Sequence, residues 1–139
     1  MGADFSVIDH TADVGITAYG RDLKELFTNA ARGMFSLIID PDVVEPAVRK
    51  SIEVSAPDHE SLLVGWLNEL LYLLDTDHLV FTMFEVVKLT GRDLRAKCYG
   101  EKLDLQKHRL KREVKAATYH NLAISKSENM YSARIIFDI

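Results

Sequence analysis

A chain of 139 residues, 47% hydrophobic and 27% charged, is long enough for one domain with one buried core and too apolar to stay disordered. A net charge of −4 with histidine neutral argues against a direct, non-specific binder of DNA or RNA, because such a protein draws its affinity from a basic surface. Cys98, the single cysteine, excludes an intramolecular disulfide and speaks against a cysteine-built zinc site. No signal peptide and no bilayer-length apolar run is evident, so a cytoplasmic location with no membrane partner is expected.

Phe5, Val7 and Ile8 read as a short first strand that runs into the polar sequence Asp9-His10-Thr11-Ala12-Asp13. Val14, Ile16 and Ala18 then alternate with Gly15, Thr17 and Tyr19, the period of a half-buried strand. Asp22 stands before a helical pattern with Glu25 three residues on, an approximate capping box. Leu23, Leu26, Phe27, Ala30, Met34 and Ile38 recur at spacings of three and four, so this first helix should lie on a sheet. Asp40-Pro41-Asp42 ends it.

Ser51 to Ser55 alternates around Ile52 and Val54 as another strand. Pro57-Asp58 opens a second helix whose leucines and Trp66 cover a broad apolar face, which predicts the more buried of the two helices; Asp75-Thr76-Asp77 should end it. Val80 to Leu89 and Leu94 to Tyr99 read as strands joined by the turn Gly91-Arg92-Asp93. Gly100 should begin an irregular charged connection. Val114 to Ile124 and Tyr131 to Phe137 supply late strands around a polar turn at Ser125 to Asn129. Two helices among about seven strands predict an α+β fold, the helices packed on a mostly antiparallel sheet in a single compact domain over 1–139.

The densest polar cluster is Asp9-His10-Thr11-Ala12-Asp13. Carboxylates on a strand-to-strand loop suit a hard cation such as calcium or magnesium, although Asp and Thr also serve as ordinary turn residues and His10 as a structural histidine. At the other end, Asp138 follows the apolar Phe137, and the last residue, Ile139, brings a free carboxylate. If the last strand is ordered, these oxygens and Asp13 form a candidate hard-cation site. Lys115 and His120 flank the segment Val114 to His120. A lysine beside carboxylates can hold a phosphate or a partner's carboxylate, or be an ordinary exposed strand residue. The stretch from Lys102 to Lys115 carries six Lys and Arg against Asp104 and Glu113, either a solvated turn or a patch facing an acidic surface. No phosphate loop, nucleophile elbow, His-Glu-x-x-His pair or EF-hand spacing occurs, so nothing nominates an activated nucleophile.

Taken together in order, Asp9-His10-Thr11-Ala12-Asp13-Val14-Gly15-Ile16, Trp66-Leu67-Asn68-Glu69-Leu70, Gly100-Glu101, Lys107-His108, Val114 to His120 and the terminal Ile136-Phe137-Asp138-Ile139 resemble the archease family over nearly the whole chain. The resemblance implies a non-catalytic cofactor protein that activates the RtcB-type, GTP-dependent RNA ligase of tRNA splicing, promoting its guanylylation and multiple turnover. Contact with tRNA is implied only through that ligase. It also implies a divalent-metal site on Asp13, Asp138 and the Ile139 carboxylate, with calcium expected and magnesium or manganese as alternatives. Lys115 falls on a functionally important lysine, and Asp9, His10 and His120 take supporting positions. Two other readings stay open: a chaperone-like modulator of a tRNA-modifying enzyme such as a methyltransferase, and a metal-dependent hydrolase.

Overall fold

The computed structural model of the protein describes residues 4–9 and 13–139, with Asp9 described by its backbone alone. Strand β1 (Phe5–Asp9) pairs antiparallel with β2 (Asp13–Gly20), and β2 pairs antiparallel with the last strand, β8 (Met130–Asp138). The free edge of β8 receives two short strands, β6 (Ala116–Ala117) and β7 (Ile124–Ser127). A second antiparallel sheet sets β5 (Asp93–Lys102) between β3 (Val48–Ser55) and β4 (Leu79–Leu89). Two helices, α1 (Leu23–Ile38) and α2 (His59–Asp77), pack on these sheets. The α+β expectation therefore holds, with the strands divided between two antiparallel sheets.

Local chemistry explains the helix starts. Asp22 caps α1 by accepting from the Glu25 amide at 2.8 Å, while Glu25 reaches back to the Arg21 amide at 2.9 Å, one residue earlier than a strict capping box. Asp58 caps α2 by accepting from the Ser61 amide at 2.8 Å. The core stripe of α1 is buried as its periodicity predicts, and Trp66 of α2 is fully buried with its indole N–H donating to the Phe27 carbonyl at 3.0 Å.

Three expectations need correction. The more buried helix is α1, with ten buried residues of sixteen against eight of nineteen in α2. The reason is position: α1 lies against β2 of one sheet and β4 of the other, whereas one flank of α2 opens on a groove that exposes Tyr72. The end expected for α2 at Asp75-Thr76-Asp77 does hold: the helix stops at Asp77, where His78 follows with a left-handed φ of 55°. Gly100 is not a loop residue but an interior residue of β5, where a Cβ would overlap the Val80 carbonyl oxygen. Finally, the strand expected over Val114 to Ile124 shrinks to Ala116–Ala117, because Asn121 takes a φ of 53° in a turn closed by the Leu122 amide on the Tyr119 carbonyl. The turn expected at Ser125 to Asn129 is accordingly shorter. β7 extends through Ser127, and the reversal falls at Glu128, whose φ is 55°.

Candidate metal and partner site

The sheet register brings the two ends of the chain together. Asp13 and Asp138 are Cα partners across β2 and β8, one step beyond the pair Val14 and Phe137. Val14 and Phe137 are both fully buried, on the face that α1 covers, so strand alternation directs Asp13 and Asp138 to the opposite face. Asp13 is half-buried and Asp138 exposed. Residues directly opposed in an antiparallel pair have Cβ atoms roughly 5 Å apart, close enough for two carboxylates to share one cation and, without a cation, to repel each other.

The other edge of β8 fixes the third partner. Ala116 is the Cα partner of Asp138, and the Lys115 amide donates to the Asp138 carbonyl at 2.8 Å. Thr118 adds two bonds to the Ile136 carbonyl, from its amide at 3.0 Å and its hydroxyl at 2.8 Å. Asp138 is thus the central residue of a three-strand end, with Asp13 on one side and Ala116 on the other. Lys115 is exposed and lines the groove beside α2. His120 is exposed and lies past the end of β6, its amide on the Thr118 hydroxyl at 3.3 Å, so strand alternation does not set its direction. Ile139 is 38% exposed. His10 lies outside the described residues, as does the side chain of Asp9.

The donor chemistry of Asp13, Asp138 and the Ile139 carboxylate is all oxygen, which fits calcium, magnesium or manganese and not a thiolate- or imidazole-seeking metal. Among the described residues, no three His, Cys, Asp or Glu side chains gather into a metal cage. Two side chains and a chain end would leave most coordination positions of calcium to water or to a partner's oxygens.

Two functional-looking groups sit elsewhere. Cys98 is fully buried, and burial pushes its thiol pKa up to about 12, so it is an inert core residue. His108, which follows Lys107 in the charged connection, is 2% exposed. Its Nδ1 accepts from the Asp104 amide at 2.9 Å and its Nε2 lies 3.0 Å from Glu101 Oε2, which requires a proton on Nε2. Glu101 also accepts from the Glu45 amide at 2.7 Å and from the Lys107 ammonium at 2.9 Å. These bonds, the Glu45 amide first, hold the Glu101 carboxyl at about 2. Part of the basic stretch is therefore a structural knot. The sequence signal was the step from Glu101 to the adjacent pair Lys107-His108.

Fold and site together define a class: a two-helix, two-sheet domain that presents opposed carboxylates at the end of one sheet. The archease protein family matches residues 5–139, and the chain belongs to that family. The archease of Sulfolobus acidocaldarius is 42% identical over 136 residues, covering 97% of this chain and 98% of that one. The archease of Pyrococcus abyssi is 44% identical over 135 residues, covering 94% and 95%. The solution structure of Methanobacterium thermoautotrophicum protein 1598 superimposes with a TM-score of 0.85 at 39% identity, over 98% of this chain and 99% of that one. A Thermotoga maritima crystal structure, described as an archease and possible chaperone, shares the fold with a TM-score of 0.64 at 20% identity, over 95% and 94% of the two chains.

Proposed function

We propose that the protein is a non-catalytic, cytoplasmic activator of an RtcB-type, GTP-dependent tRNA-splicing RNA ligase, and that it acts through a divalent cation held at the end of its first sheet. The observation that carries this reading is the register of Asp13 opposite Asp138, supported by membership of the archease family. Asp13, Asp138 and the Ile139 carboxylate hold the ion, calcium before magnesium or manganese. Such an ion supplies charge neutralisation where the ligase's histidine attacks a triphosphate. The chain's own part is to fix two ligands on paired strands and to leave the remaining positions open toward the partner.

Lys115 follows from the same geometry. Its amide is tied to the Asp138 carbonyl, so its ammonium starts from a fixed point next to the carboxylates, within reach of a phosphate or a ligase carboxylate. Asp9, His10 and His120 take supporting roles, and tRNA is met only through the ligase. The test is a reconstituted guanylylation assay with the cognate ligase, GTP and defined metals. Wild-type protein should raise the guanylylated fraction and the turnover number, and Asp138→Ala should do neither while remaining folded. Stimulation at the wild-type level by either Asp13→Ala or Asp138→Ala would overturn the reading.

A further inference from the structure

Beside α2 lies an open groove of about 680 Å³, within the range of cavities that hold peptide segments or small ligands. Its floor is aliphatic, including Ile38, Leu71 and Val114, all buried. Its two sides carry large apolar side chains left in solvent, Tyr72 at 60% exposure on α2 and Leu110 at 46% on the facing segment. That facing wall, residues 110–115, lies outside the helices and named strands and is pinned at both ends. Ile39 bridges Leu110 and the Lys111 amide donates to the Ile38 carbonyl at 2.7 Å, while the Lys115 amide meets Asp138. Between the pins, the backbone of Glu113 and Val114 has no hydrogen-bond partner among the described residues.

Charge selects among occupants. The wall at 110–115 carries Lys111, Arg112 and Lys115 against the single carboxylate of Glu113, and all four line the groove together with Asp75 of α2. An aliphatic floor rimmed by the exposed Tyr72 and Leu110, a wall with three cations and an unpaired backbone at Glu113 and Val114 match an extended peptide carrying aliphatic and acidic residues. Main-chain bonds to the wall would give it affinity, and apolar side chains in the groove would give it specificity. A polynucleotide fits less well, because the floor offers mainly aliphatic side chains and bases bind by stacking on aromatic ones. We propose that this groove docks an extended, acidic and apolar segment of a partner protein. The wall ends at Lys115, whose amide donates to the Asp138 carbonyl, so a segment seated there leads toward the carboxylate pair. The proposal goes beyond ligase activation and does not depend on it.

The probe is a library of random twelve-residue peptides displayed on phage, selected on the wild-type protein and followed by methyl and amide NMR. Enriched peptides should combine Leu, Ile or Phe with Asp or Glu. They should shift the methyl signals of Leu71, Leu74 and Leu110 and the amide signal of Glu113. Leu110→Asp and, as a second variant, Tyr72→Ala alter exposed side chains, so both should melt near wild type and bind the selected peptides about tenfold more weakly. Calcium titrated alone should bind both variants as it binds wild type, which separates this result from a failure of the metal site. No enrichment, enrichment of basic peptides, or equal binding by folded variants would overturn the proposal. So would a concentration-dependent dimer that Leu110→Asp abolishes, since a second copy would then be the occupant.

Discussion

The side-chain amide of Asn68 grips both backbone polar groups of Ala117: its Oδ1 accepts from the Ala117 N–H at 2.8 Å, and its Nδ2 donates to the Ala117 carbonyl at 3.2 Å. Asn68 sits in α2 between Leu67 and Leu70, both fully buried, where a polar residue has no packing reason to be. The double bond does in two contacts what a neighbouring strand would do for a two-residue edge strand. Through it α2 holds β6, β6 holds β8 at Asp138, and β8 holds β2 at Asp13. A polar interruption of an apolar helix face thus becomes the strut of a site on another element.

Asn68→Ala should therefore act at two levels. It leaves the partly buried N–H and C=O of Ala117 unpaired, which should cost about 1–3 kcal/mol in chemical denaturation. It should also weaken calcium binding several-fold in calorimetric titration, although no carboxylate is altered. An unchanged affinity alongside the stability loss would show that the strut does not position the ligands.

Asp13 and Asp138 oppose each other as like charges on an open sheet end. Without a cation, Asp138→Asn should stabilise the protein by a few tenths of a kcal/mol, because like charges directly across a strand pair are unfavourable. With calcium at one hundred times its dissociation constant, the wild type should gain about 2.7 kcal/mol by mass action and the variant nothing. Thermal melts with chelator and with calcium check both signs. A wild type whose melting temperature ignores calcium would refute the site.

Much of this was legible from residue patterns. Asp22 with Glu25, Asp58, and the stripe from Leu26 to Ile38 mark the helices because capping and periodicity are local properties. The meeting of Asp13 with Asp138 was not local: it depends on β8 pairing with β2 across more than a hundred residues, so residue types could nominate the carboxylates and the family resemblance could join them, but neither gave the register. The strand at 114–124 was overextended because alternation cannot register a left-handed residue such as Asn121. His108 was passed over because its burial depends on Glu101 and Asp104, whose roles appear only after the chain has turned back. Gly100 was taken as a breaker because its sequence neighbours do not reveal how close the β4 backbone passes.

That close approach makes Gly100 a demanding position. Gly100→Ala would press a Cβ into the Val80 carbonyl and the Phe81 Cα, both backbone atoms that cannot rotate aside. Separating β4 from β5 at this point should cost about 2–3 kcal/mol, at the upper end of overpacking effects. Gly91, with open space around its would-be Cβ, provides the control, and Gly91→Ala should melt within a degree or two of wild type. Equal melting temperatures for the two variants would show that β4 and β5 can separate cheaply at Gly100.

Glu101 should write its environment into the acid limb of the stability curve. Its carboxyl ordinarily titrates at 4.5 but is held at about 2 by the Glu45 amide, the Lys107 ammonium and the His108 ring. A depressed carboxylate contributes stability that is complete above its unfolded value and disappears as pH falls through its folded value. Glu101→Gln, which cannot ionise, removes that contribution at every pH. The wild type should therefore melt above the variant at neutral pH, and the gap should close as pH drops from 4.5 to about 2. Because Lys107 and His108 lead into the wall at 110–115, the variant should also be cut faster by trypsin after Arg109 and Lys111 at neutral pH. A gap that stays constant across the acid range would mean that the ionised carboxylate contributes nothing to holding this segment.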